Sequence, residues 1–102
     1  MSVSTDGQIC FGILLEEMEE ALDIIERKMP EELMLVNVCS EDYPIYILAL
    51  ASSLHTAKRG YPVVFDPGIL EVEVEDYYTL VNFAKSINLN STPQWYLSSF
   101  WG

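Results

Sequence analysis

The stretch His55-Thr56-Ala57-Lys58-Arg59-Gly60-Tyr61-Pro62 holds the chain's only histidine and two of its five basic residues. Its residue types suit the capture of an anion. Arginine offers a planar fork of donors that fits phosphate, lysine a compact positive charge, and tyrosine a ring on which a base can stack. Gly60 lets the backbone bend there. The plainer alternative is an exposed loop whose cations pair with nearby carboxylates.

Signals for catalysis are sparse. One histidine and two well-separated cysteines, Cys10 and Cys39, lack the ligand clusters of a zinc site. No phosphate loop, dinucleotide fingerprint or calcium loop is present. His55 has no serine or cysteine partner at a telling spacing, although triads are recognised by geometry rather than by spacing. The paired acids Glu16-Glu17 and Glu19-Glu20 read as the wet face of a helix. The expectation is a chain that is not an enzyme, with no cofactor and no metal.

Sixteen acidic residues against five basic ones give a net charge of −11 over 102 residues. That field opposes direct binding of nucleic acid and of anionic lipid, and favours the basic surfaces of other proteins. It also keeps a protein soluble. No run reaches the roughly 18 apolar residues that cross a membrane. The opening Met1–Gln8 lacks a basic flank before an apolar stretch, so no secretory signal is expected and the expected location is the cytoplasm. There the two cysteines are expected to stay as buried thiols.

Half the residues are apolar, enough for one packed domain over residues 1–102. Ile9, Phe11, Ile13 and Leu15 alternate with other types and predict a strand. Met18, Ala21, Leu22, Ile25 and Met29 form one helical stripe, and Arg27-Lys28 before Pro30 mark its end. Residues 33–39 and 45–52 predict two more strands around a polar turn at Ser40–Pro44. Residues 53–60 read as a loop, or as a continuation that bends at Gly60, and Tyr61–Phe65 as a short edge strand with Pro62. Asp66-Pro67-Gly68 is a turn. Leu70, Val72 and Val74 alternate with glutamates, as an edge strand or an extended lead-in. Tyr77, Leu80, Val81, Ala84 and Ile87 then predict a helix over about 76–87. Residues 94–100 predict a closing strand, with Trp95 and Leu97 as core anchors. Its remaining exposed aromatics suggest a pocket wall or a contact between copies of the chain. The fold expected is α+β: a two-layer sandwich with a mostly antiparallel sheet of about five strands and two helices on one face.

Taken together, "STDGQICFGILLEE", "CSEDYPIYILALA", "AKRGYP", "FDP" and the terminal "WYLSSFWG" resemble a group of small uncharacterised proteins encoded by phages and prophages. The resemblance covers most of the chain. It fails over residues 17–32, where many members carry an insert rich in tryptophan and proline and this chain has a plain acidic helix. It implies an accessory protein acting in the host bacterial cell against host defences. Two routes follow. In the first, the protein sequesters a small nucleotide-derived signal without cleaving it. The ligand-binding candidates then come from the resembling segments: Gln8, Ser40 and Tyr43, the loop residues Lys58, Arg59 and Tyr61, and Ser99 and Trp101 in the tail. In the second, the acidic faces at Glu16–Glu32 and Glu71–Asp76 occupy the basic, nucleic-acid-binding groove of a host protein.

Overall fold

In the computed structural model the described residues are 5–15, 19–39, 45–58 and 60–101, with only the backbone described at 5, 6, 19–21, 100 and 101. The spine is strand β1, Thr5–Leu15. Its odd positions are apolar and turn to one face, as period-two alternation requires. Along one edge it pairs antiparallel with β5, Gln94–Trp101, from Thr5 opposite Trp101 to Gly12 opposite Gln94. Along the other edge it pairs first with β4, His55–Ala57, and then with β3, Tyr46–Leu50. β2, Leu33–Asn37, pairs antiparallel with β3. The five strands form one antiparallel sheet.

Helix α1, Glu19–Lys28, and helix α2, Val74–Ser86, lie on one face of that sheet. Ile25 of α1 and Leu80 and Ala84 of α2 pack with Phe11, Ile13, Leu15, Leu33, Leu48 and Leu50 in a single core. This is the expected α+β sandwich. The opposite face has its own smaller apolar cluster, Cys10, Val36, Ile47 and Ala49. Burial pushes the Cys10 thiol pKa up. Both cysteines are free. Gly12 lies where strands press together: a Cβ there would run into the Leu48 carbonyl and stand 2.7 Å from Ala49 Cα.

α2 closes on a Schellman arrangement. The Leu89 N–H donates to the Ala84 carbonyl at 2.8 Å and the Asn88 N–H to that of Lys85 at 3.1 Å. Asn88 takes the left-handed conformation this needs, with φ 62°. Leu89 drops back into the core.

Three expectations need correction, and one open choice is settled. Residues 53–60 are neither a plain loop nor an unbroken continuation of β3, because His55–Ala57 is a separate strand. Between Ile9 opposite His55 and Gly12 opposite Ala49, β1 spends two residues, 10 and 11, while its partner spends five, 50–54. The surplus of three turns as a 3-10 segment, Ala51–Ser53. An odd surplus reverses the alternation. Even positions of β3 face the helices, yet on β4 the odd positions His55 and Ala57 do. Tyr61–Phe65 joins no ladder and runs as an exposed loop. Of the two readings of Leu70–Val74 the extended lead-in holds: a 3-10 turn at Pro67–Leu70, capped by Asp66 Oδ1 accepting the Gly68 N–H at 2.9 Å, passes through extended Glu71 and Glu73 into α2 at Val74. Leu97 is not a core anchor, being 83% exposed, whereas Trp95 does pack on the core. The helices cover β1 only from Phe11 to Leu15, and Leu97 sits beyond them, opposite Ile9.

Candidate functional site

The first half of β1 is flanked by β4 and by β5, so Gly7 stands between Ala57 and Ser99. Two interstrand spacings, about 10 Å, separate those flanks. The basic loop that follows Ala57 and the C-terminal strand are therefore neighbours.

The helices leave this end of the sheet uncovered, and the segment from Val63 to Ile69 arches over it. Between them lies a groove of about 240 Å³. Its floor is Gly7, Ile9, His55, Ala57 and Leu97, and its roof is Val63, Val64, Phe65 and Ile69. The Asp66 cap that fixes the Pro67–Leu70 turn sets the far end of the roof. The near end is a tight turn: the Tyr61 N–H donates to the Lys58 carbonyl at 2.9 Å, and Gly60 sits at φ 80°. Glycine supplies that left-handed conformation without strain.

The lining is apolar. Among the described residues His55, half-buried, is its one titratable side chain and no carboxylate lines it. Such a surface suits a flat ring more than a charged group. Among the described residues its polar side chain on this face is that of His55. Lys58 follows Ala57 in the chain and is exposed.

Of the eight candidate residues, Gln8 lines the groove and also donates from Nε2 to the Asn37 carbonyl at 2.9 Å, tying β1 to the end of β2. Lys58 and Tyr61 form the adjoining turn, and Tyr61 is 73% exposed. Ser99 lies opposite Gly7, and the backbone of Trp101 opposite Thr5. Ser40, Tyr43 and Arg59 lie outside the described residues. The candidates that are described lie at one end of the sheet, and the sequence reading did not name Val63, Val64, Phe65, Ile69 and Leu97, which complete the groove's lining. Their signal was an apolar run beside a proline that no ladder uses.

Two other hollows differ in chemistry. One, about 170 Å³, lies between α2 and residues 89–93, with Lys85, Asn90 and Thr92 among its walls. The other is acidic, lined by Glu71, Glu73 and Asp76 beside Ser52 and Ser53. Among the described residues no group of three His, Cys, Asp or Glu side chains is placed to hold a metal, and no helix is long and apolar enough to cross a membrane. No family model matches this chain, and no curated protein or solved structure matches it either, so a functional reading rests on the groove's own residues.

Proposed function

We propose that the chain is a non-catalytic binding protein that sequesters a small nucleotide-derived molecule, as a phage accessory protein would do against a host immune signal. One observation carries this reading: an apolar groove with Phe65 in its lining reaches Ala57, the residue that precedes the exposed Lys58. A nucleobase buries its faces against apolar and aromatic side chains and satisfies its edge with a few polar groups, here His55. Its phosphate then reaches the cation beyond Ala57. The net charge of −11 opposes an anion at long range, but screening over about 8 Å at physiological salt leaves the local lysine in control. Effective sequestration calls for nanomolar binding, about −12 kcal/mol.

The test is to incubate the purified protein with a panel of cyclic nucleotides and ADP-ribose derivatives, remove the protein, denature it by heat and identify what is released. Depletion followed by recovery of intact ligand supports a sponge. Recovery of altered ligand would make it an enzyme, and no depletion across the panel refutes the reading for those ligands.

A second reading has its own observation. Val64 in the groove's roof and Leu97 in its floor are 95% and 83% exposed, with the acids Asp66 and Glu71 near Val64 in sequence. An apolar patch beside acidic residues fits a protein with an apolar knob in a basic surround. That reading predicts capture of a basic host protein that weakens sharply with salt and is abolished by Leu97→Asp.

A further inference from the structure

Sheet edges expose unpaired backbone donors and acceptors, and proteins commonly blunt them with short strands, charges or proline. This sheet protects its edges unequally. β4 has three residues and runs into Lys58, while β2 has five and is entered from Glu31-Glu32. β5 has eight, and among the described residues it pairs with β1 alone. It carries no charge and no proline. The last charged residue is Lys85, so nothing from Ser86 to Gly102 is charged.

We propose that the outer edge of β5 is the contact surface for a second copy of this chain, joined antiparallel about a two-fold axis at Ser98 to make one continuous sheet. Three observations select a second copy over another partner. First, a chain of charge −11 repels its own copy everywhere that acids dominate, and the β5 edge is the long neutral surface where two copies can approach. Second, the sequence is self-complementary when reversed. Centred on Ser98, antiparallel register sets Leu97 against Ser99, Tyr96 against Phe100 and Trp95 against Trp101 of the copy. Like thus meets like in residue type at the outer positions, the cross-strand matching that stabilises antiparallel pairs. A two-fold contact requires this self-matching. Third, the Ser98 hydroxyl is buried without a hydrogen-bond partner. At the centre of symmetry it faces the same hydroxyl of the copy, and a χ1 turn lets the two serines bond across the strands.

The same pairing covers Leu97, the most exposed apolar residue of the strand, with Ser99 of the copy. It also sets two grooves side by side on one face of the joined sheet, each with Leu97 in its floor. The inference rests on the strand edge and not on what the groove binds.

Light scattering on the full chain across micromolar to millimolar concentrations tests it. The expected particle is twice 11.6 kDa. Leu97→Lys puts a charge on each side of the axis at an exposed site, so its far-ultraviolet circular dichroism should match the wild type while the dissociation constant rises at least about tenfold. Ser98→Cys, in a Cys10→Ala and Cys39→Ser background, should cross-link between chains on mild oxidation, since directly opposed positions meet disulfide reach. Gln94→Cys should not, because its mirror position is eight residues away. A wild type that stays monomeric throughout would overturn the proposal. So would a dimer untouched by Leu97→Lys, or cross-linking at Gln94 in preference to Ser98.

Discussion

The hydroxyl of Ser53 accepts the Phe11 N–H at 2.9 Å across 42 residues of sequence and donates to the Leu50 carbonyl at 2.6 Å. This pair sits at the register break in the ladder beside β1. The 3-10 segment at Ala51–Ser53 lifts the partner strand away, and Ser53 supplies by side chain the acceptor that the ladder withdraws. Beyond it the partner returns as β4, with His55 and Ala57 turned onto the groove. One buried serine thus connects the core to the site. Ser53→Ala should leave the Phe11 N–H buried and unpaired at a cost of about 1–3 kcal/mol, read from urea unfolding. If Ser53→Ala unfolds at the wild-type midpoint, the stitch carries no weight.

Gly12 makes a second test of the same ladder. Gly12→Ala presses a methyl group into the Leu48 carbonyl and Ala49 backbone, which side-chain rotation cannot relieve. The expected loss is about 3 kcal/mol, the upper range for overpacking. An alanine variant with unchanged thermal midpoint would show that β1 and β3 stand further apart.

At the end of α2, Asn88 holds φ 62° to close the helix. Asn88→Gly should be neutral or slightly stabilising, whereas Asn88→Val should cost about 1–2 kcal/mol. Equal stability of the two variants would contradict the left-handed cap.

The two thiols should separate in labelling. Cys39, half-buried, reacts in the native protein, and Cys10, fully buried with its pKa raised, reacts only as fast as the protein opens. A thiol pKa raised in the folded state means that stability is intact below the unfolded value and declines as pH climbs past it, so Cys10→Ala should flatten the stability loss on the alkaline side. Two thiols labelling at one rate would place Cys10 at the surface.

Much of this architecture was legible in the sequence, and the reasons are local. Period two in Ile9–Leu15 and the stripes Leu22–Ile25–Met29 and Leu80–Ala84–Ile87 each report one buried face, and both helices lie where those stripes require. The site was less legible because it depends on a register break. An odd surplus of residues at Ala51–Ser53 erases the alternation through which β4 would have been recognised, and a lone serine gives no sign of filling a ladder. The run Pro62–Phe65 was misread for a related reason: its apolar side chains roof a groove and never enter a sheet. Leu97 misled because period two gives the face a residue shares, and not how far the helices extend over that face.

The most direct test of the account is a calorimetric titration of the ligand recovered from the depletion assay against wild type, Phe65→Asp and Lys58→Ala. Position 65 is 55% exposed, so Phe65→Asp should change stability by no more than about 0.5 kcal/mol. The predicted result is stoichiometric binding by the wild type, loss of it in Phe65→Asp, and at least about a tenfold weakening in Lys58→Ala, or 1.4 kcal/mol. Undiminished binding by both folded variants would contradict the assignment of function to this groove.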